Sequence, residues 1–243
     1  MESFTLLSVQ FLVSMRIYNS KVRNRIMRVE GFLKMKLVVF DVDGTLVKAH
    51  SWQFLHEALG TWDKGKRYFE RFFTGRITYD EWAQLDAFLW RGLPLGQVKR
   101  IIKTIPYTYG AKETISTLKE KGFRVFLLSA GLSLVAERIN EEIGVDGYLA
   151  NDLIVKDGFL TGEVKVNVSF YNKDEALSKL LPTWNLKMEN CISVGDDPTL
   201  IPLFKKVGLS IAFNAVDEDI ERHANVVVKS KDLRHILPYI LGK

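Results

Sequence analysis

The sequence predicts an α/β fold: a parallel sheet covered by helices on both faces, interrupted by an all-helical insertion. Three observations predict it. Short, continuously apolar runs such as Leu37–Phe40 read as strands buried on both faces. After Pro106 such runs alternate with amphipathic helical patterns, the order expected of βαβ units. Residues 50–105 show helical patterns alone and carry Trp52, Trp62, Trp82 and Trp90.

In order along the chain, "KLVVFDVDGTLV" (36–47) is a strand that ends in a polar turn. "SWQFLHEAL", "DKGKRYFERFF", "TYDEWAQLDAFLW" and "PLGQVKRIIKTI" are four amphipathic helices. Thr78 with Glu81 three positions on is a capping box, and Pro94 suits a helix start. "AKETISTLKEKG" is a helix stopped at Gly122, "FRVFLLSAG" a strand, and "SLVAERINEEIG" a helix stopped at Gly144. "DLIVKDGFLTGEVKV" is a hairpin turning at Asp157-Gly158. There follow a helix "KDEALSKLL", a strand "NCISVGDD", a helix "LIPLFKKVG", strands "LSIAF" and "ANVVV", and a closing helix "DLRHILPYIL". The expected organisation is an N-terminal extension at 1–34, an α/β core at 35–48 and 106–243, and a helical cap at 49–105.

Composition narrows the function classes. The net charge is +5, but six basic residues against two acids put +4 of it on residues 1–35. The remaining body is almost neutral, which argues against a nucleic-acid partner. The cap does hold bases such as Lys64, Lys66, Arg67 and Arg71, which keeps a nucleic-acid partner as an alternative. One cysteine, Cys191, cannot form an internal disulfide and fits a reducing, cytoplasmic setting. No apolar run reaches the roughly 18 residues of a membrane span. The segment "FTLLSVQFLVSM" lacks the basic start of a secretory signal; it reads as a surface helix, a packed helix, or sequence upstream of a true start at Met35, which we favour. A membrane partner is expected only if that extension belongs to the native protein.

The chemistry lies where strands end. Ligands of open parallel sheets bind beyond the carboxyl ends of the strands. Three strands here end in polar clusters: Asp41/Asp43, Ser129-Ala130-Gly131 and Asp196/Asp197, with Lys173 opening a helix between the last two. Four carboxylates in one pocket need a compensating charge, and Mg²⁺ prefers carboxylates and water. Carboxylates for a metal, a lysine, a serine and small residues exposing N–H groups describe a phosphate-handling site. Singly, each has a plainer reading: Ser129 as a helix cap, Lys173 as a solvated side chain (Lys165 and Lys179 being weaker substitutes), and Asp196-Asp197-Pro198 as a turn.

"DVDGTLV", "LLSAG", Lys173 and "VGDD" together resemble, in order, the four motifs of the haloacid dehalogenase superfamily. "NDLIVKDGFLTGEV", "IAFNA" and "KDLRHILPYI" are most similar to its phosphoserine phosphatase branch. The resemblance spans 36–241 and implies a Rossmann-like core with an inserted helical cap of the C1 type. It implies that Asp41 is a nucleophile forming an acyl phosphate and Asp43 the general acid and base. It implies that Thr45, Ser129, Ala130, Gly131 and Lys173 hold phosphate, and that Mg²⁺ sits on Asp41, the Asp43 carbonyl and Asp196, with Asp197 as a further metal-shell candidate or a partner of Lys173.

The sequence also departs from that branch. Where the branch reads GDGxND, this chain has Gly195-Asp196-Asp197-Pro198-Thr199-Leu200. A Glu expected nine residues after the nucleophile is His50, and an ungapped alignment places Asp86 where a carboxylate-binding Arg is expected. Asp86 would repel a substrate carboxylate, so the expected substrate is a small phosphorylated metabolite other than phosphoserine. His50, Trp52, Phe54, Tyr68 and Trp82 suggest an aromatic pocket suited to a sugar or aromatic phosphate. Phosphoserine phosphatase is the alternative, and a phosphate-binding regulator the alternative from another class; retention of Asp43 favours an enzyme.

Overall fold

The computed structural model describes residues 37–242. The expectations for residues 1–34 fall outside it. Seven strands form one sheet: β1 (Leu37–Phe40), β2 (Arg124–Leu132), β3 (Gly147–Lys156), β4 (Phe159–Lys165), β5 (Cys191–Gly195), β6 (Leu209–Phe213) and β7 (Val226–Val228). Their order is β4-β3-β2-β1-β5-β6-β7, parallel except for the β3–β4 hairpin. Asp157 and Gly158 both take positive φ, 52° and 84°, as the hairpin turn requires.

β1 is central because it is apolar throughout. Its four residues are at most 1% exposed, and burial of each large side chain contributes about 1.5–3 kcal/mol. A charge at Val39 would break this strand between β2 and β5. From β1 the chain order runs to β2 on one side and β5 on the other, so the sheet's switch point lies at the end of β1.

Between β1 and β2 lie helices α1 (Ser51–Ala58), α2 (Trp62–Phe73), α3 (Tyr79–Leu89), α4 (Leu95–Lys103) and α5 (Ala111–Glu120). The first four form the helical insertion. The chain leaves and re-enters the core side by side: Lys48 N–H donates to Pro106 C=O and Thr108 N–H to Leu46 C=O. The Thr78–Glu81 capping box opens α3. Trp52, Trp82 and Trp90 build the insertion's own core, with Trp52 stacked on Trp90 and Phe72 on Trp82, each pair 5.6 Å apart.

After β2 come α6 (Ser133–Ile143), α7 (Lys173–Leu180), α8 (Ile201–Phe204), α9 (Glu218–His223) and α10 (Leu237–Leu241). Some details differ from the sequence expectation, among them β3, which begins at Gly147 and not at Asp152. The helix expected over "LIPLFKKVG" is a 3-10 turn and a four-residue helix. "DLRHILPYIL" likewise splits into a 3-10 turn and a short helix at Pro238, which lacks the N–H needed to continue. α9, capped by Asp217, was not expected.

Candidate active site

Asp41 and Asp43 follow β1 directly. Asp41 is held on both oxygens: Oδ1 accepts from Val42 N–H at 2.8 Å, and Oδ2 from Lys173 Nζ at 2.5 Å. Both partners of that ion pair are buried, 4% and 3% exposed. Lys173 is the first residue of α7, so the helix start delivers the ammonium to the strand end. A buried pair of this kind is a weak source of net stability, and its value lies in fixing charge.

Asp43 is held by the insertion. Its Oδ2 accepts from Ser51 N–H at 2.7 Å and Ser51 Oγ at 2.6 Å, at the first residue of α1. Ser51 Oγ in turn accepts from Leu132 N–H at 2.9 Å. Asp43 Oδ1 is buried without a partner. Burial, opposed by the Ser51 bonds and reinforced by the Asp41 charge, pushes the Asp43 carboxyl up to about 6. A carboxyl titrating there can give and take a proton near neutral pH.

Gly131 allows this approach. A Cβ there would lie 2.5 Å from both Asp43 Oδ2 and Ser51 Oγ. Gly44 has φ 79°, and a Cβ on it would meet Asp196 Oδ2 at 2.1 Å, so this turn requires glycine twice over.

Asp196 ends β5. Its Oδ1 accepts from Thr45 Oγ1 at 2.6 Å, and burial with the Asp41 charge pushes its carboxyl up to about 7. Thr45 is fully buried and does not line the cleft. Phosphate contact was expected of its hydroxyl, which instead donates to Asp196, the acceptor that satisfies it in its buried position. Asp197 lines the cleft, and its Oδ1 caps the next turn by accepting from Thr199 N–H at 2.8 Å.

A cavity of about 370 Å³ joins these groups to the helical insertion, a size suited to a small metabolite. Asp41, Asp43, Ser129, Ala130, Gly131 and Lys173 form its floor, and His50, Trp52, Trp62, Phe69, Phe73, Trp82 and Phe170 its aromatic sides. Phe54 and Tyr68, expected there, are not among the lining residues; α1 and α2 turn Trp52 and Phe69 inward in their stead.

Asp86 lines this cavity too, with His56 Nε2 at 3.1 Å from its Oδ2, both 1% exposed. Asp86 Oδ1 has no hydrogen-bond partner, and burial raises the carboxyl above its ordinary range. Gly65 makes room: a Cβ would sit 2.6 Å from His56 Nε2.

Sequence reasoning missed Ser51, His56, Tyr79 and Asn151. The available signals were a serine directly after the polar loop and an asparagine buried inside a strand, next to Asp152.

Among the described residues no three acidic, histidine or cysteine side chains converge as a metal cluster. Mg²⁺ prefers one or two carboxylates with water, so Asp41 and Asp196 could hold it without such a cluster. The two acids share a Coulomb conflict that a cation would relieve.

Residues 38–205 match the family model of haloacid dehalogenase-like hydrolases. The chain belongs to this family. Phosphoserine phosphatase of Methanocaldococcus jannaschii is 36% identical over 208 residues, 85% of this chain and 98% of its own length. That of Archaeoglobus fulgidus is 32% identical over 86% of this chain and 66% of its own length. Among solved structures, a phospho-aspartyl intermediate analogue of phosphoserine phosphatase superposes with a TM-score of 0.72 at 34% identity, covering 84% of this chain and 98% of its own. A substrate-bound phosphoserine phosphatase complex gives 0.73 at the same identity and coverage. The protein is a phosphatase of this family, with its α/β core. No helix among the described residues is long and apolar enough to cross a membrane.

Proposed function

We propose that the chain hydrolyses a small phosphomonoester through a phosphoaspartate on Asp41, with Mg²⁺ held by Asp41, Asp196 and the Asp43 carbonyl. The observation that carries this reading is the pairing of two carboxyls with different settings at one strand end. Asp41 is ion-paired with Lys173, and Asp43 is uncharged part of the time at neutral pH. An Asp41 oxygen attacks phosphorus and the bond to the leaving oxygen breaks, while Asp43 gives that oxygen its proton. Asp43 then takes a proton from water, whose oxygen attacks the acyl phosphate and releases phosphate and free Asp41. Lys173, Ser129 and the N–H of Gly131 hold the transferring group. Bound Mg²⁺ would offset the negative charge gathered on the phosphoryl oxygens.

O-phosphoserine is the substrate best supported, since relatives matched over nearly their whole length bear that name. A second reading, another small phosphomonoester, is favoured by one observation: Asp86 and His56, not a cation alone, close the cavity wall. The two are separated by phosphate release from phosphoserine, phosphoethanolamine, sugar phosphates, nucleotides and p-nitrophenyl phosphate, with and without Mg²⁺. A clear preference for phosphoserine supports the first reading. A higher kcat/KM for a carboxylate-free ester supports the second. No turnover of any ester, with phosphate-analogue binding retained, would favour a phosphate-binding regulator.

A further inference from the structure

β2 leaves the sheet register at the phosphate-binding residues. It uses four residues, Leu128 to Leu132, to advance as far as β3 does in two, Leu149 to Asn151. The peptide between Ala130 and Gly131 therefore lies in a bulge, without a regular ladder partner to fix its orientation. Three side chains converge on its carbonyl. Trp52 Nε1 donates to Ala130 O at 3.1 Å, Tyr79 Oη at 2.5 Å and Asn151 Nδ2 at 2.8 Å. Asn151 also donates to Tyr79 Oη at 3.0 Å, and its Oδ1 accepts from Asn167 and Val168 N–H at 2.8 and 3.0 Å. The network is buried, with Asn151 at 0% exposure.

One donor would suffice to satisfy a buried carbonyl. Here two of three come from the helical insertion, Trp52 on α1 and Tyr79 on α3, and the third from the core. In a trans peptide the N–H points opposite to the C=O. Pinning the Ala130 carbonyl therefore directs the Gly131 N–H the other way, where it meets Ser129 Oγ at 3.0 Å on the cavity floor. Gly131 Cα also lies against Asp43 and Ser51, so rotation of this peptide would disturb both a phosphate donor and the acid/base.

We propose that Tyr79 and Trp52, together with Asn151, are positioning residues that set the Ala130–Gly131 peptide for phosphate, so that docking of the helical insertion completes the phosphate site. This rests on the phosphatase reading. Tyr79 and Asn151 do not line the cavity, so they act through the peptide and not by touching substrate.

The test compares wild type and Tyr79→Phe for orthovanadate affinity in Mg²⁺, for kcat/KM on p-nitrophenyl phosphate, and for Tm. Tyr79→Phe keeps the ring and removes one donor. The expected result is orthovanadate binding weakened about fivefold, the factor one net neutral hydrogen bond supplies, with kcat/KM falling by the same factor and Tm nearly unchanged. Tyr79→Phe with unaltered orthovanadate affinity and kcat/KM, whatever its Tm, would show that these donors only satisfy a buried carbonyl and would overturn the proposal while leaving the phosphatase reading intact. A wild type that neither binds orthovanadate nor releases phosphate would remove both.

Discussion

Without a bound cation this protein should lose stability as pH rises, opposite to the usual behaviour of paired carboxylates. Burial and the neighbouring Asp41 charge raise Asp43 from 3.8 to about 6 and Asp196 from 3.8 to about 7. Between about pH 4 and 7 the folded, metal-free protein therefore holds protons that the unfolded chain has released. Its stability from these groups is complete below about pH 4 and lost as pH passes through the folded values. At about 1.4 kcal/mol per pH unit, Asp43 alone would cost about 3 kcal/mol and Asp196 about 4 kcal/mol. Both respond to the same Asp41 charge, so the total is nearer 4–5 kcal/mol. For a domain of this size that is about 10 °C in Tm. The assay is thermal unfolding at pH 5 and pH 8 in EDTA, then at pH 8 with millimolar Mg²⁺. About 3 kcal/mol of the total falls above pH 5, so Tm should fall by about 7 °C from pH 5 to 8 in EDTA, and Mg²⁺ should restore most of it by favouring the carboxylates. Asp196→Asn, uncharged at every pH, should show roughly half the fall. An Asp196→Asn slope equal to that of wild type would refute the reasoning, because other groups would then carry the pH dependence.

Three further outcomes are expected. Lys173→Met should lower kcat by about 10²–10³, the usual loss when a charge-stabilising group is removed, with circular dichroism unchanged. Gly131→Ala should cut kcat at least about tenfold, because the new Cβ displaces Asp43 or Ser51, and a fully active variant would contradict the packing seen there. Ser51→Ala removes a hydrogen bond that lowers the Asp43 pKa, so the pH–rate limb assigned to Asp43 should move to higher pH; a limb that stays or moves down contradicts that assignment.

The elements that sequence reading placed well are those whose signals are local. β1 is a short apolar run cut off by Asp41-Val42-Asp43-Gly44, the hairpin turns on Asp157-Gly158, and α3 begins at the Thr78–Glu81 box. α9 was invisible because six residues give too little periodicity, with Asp217 its only marker. The convergence of Asp41, Asp43, Lys173 and Ser129 on one floor could be anticipated because strand ends share an edge. The direction of a side chain could not. Thr45 is turned to Asp196 by the path of the chain after β1. Asn151 reaches the Ala130 carbonyl through a register shift that no single strand encodes. The His56–Asp86 pair joins residues thirty positions apart on two helices, and Gly65 on a third element of the insertion makes room for it.

The most direct test of the central claim is to trap the phosphoenzyme. Wild type mixed with a ³²P-labelled phosphomonoester and Mg²⁺ is quenched in acid, digested, and its labelled peptide sequenced. The account predicts hydroxylamine-labile label on the peptide containing Asp41, absent from Asp41→Asn, which should also release no phosphate. Label on another residue, or undiminished phosphate release by Asp41→Asn, would contradict it.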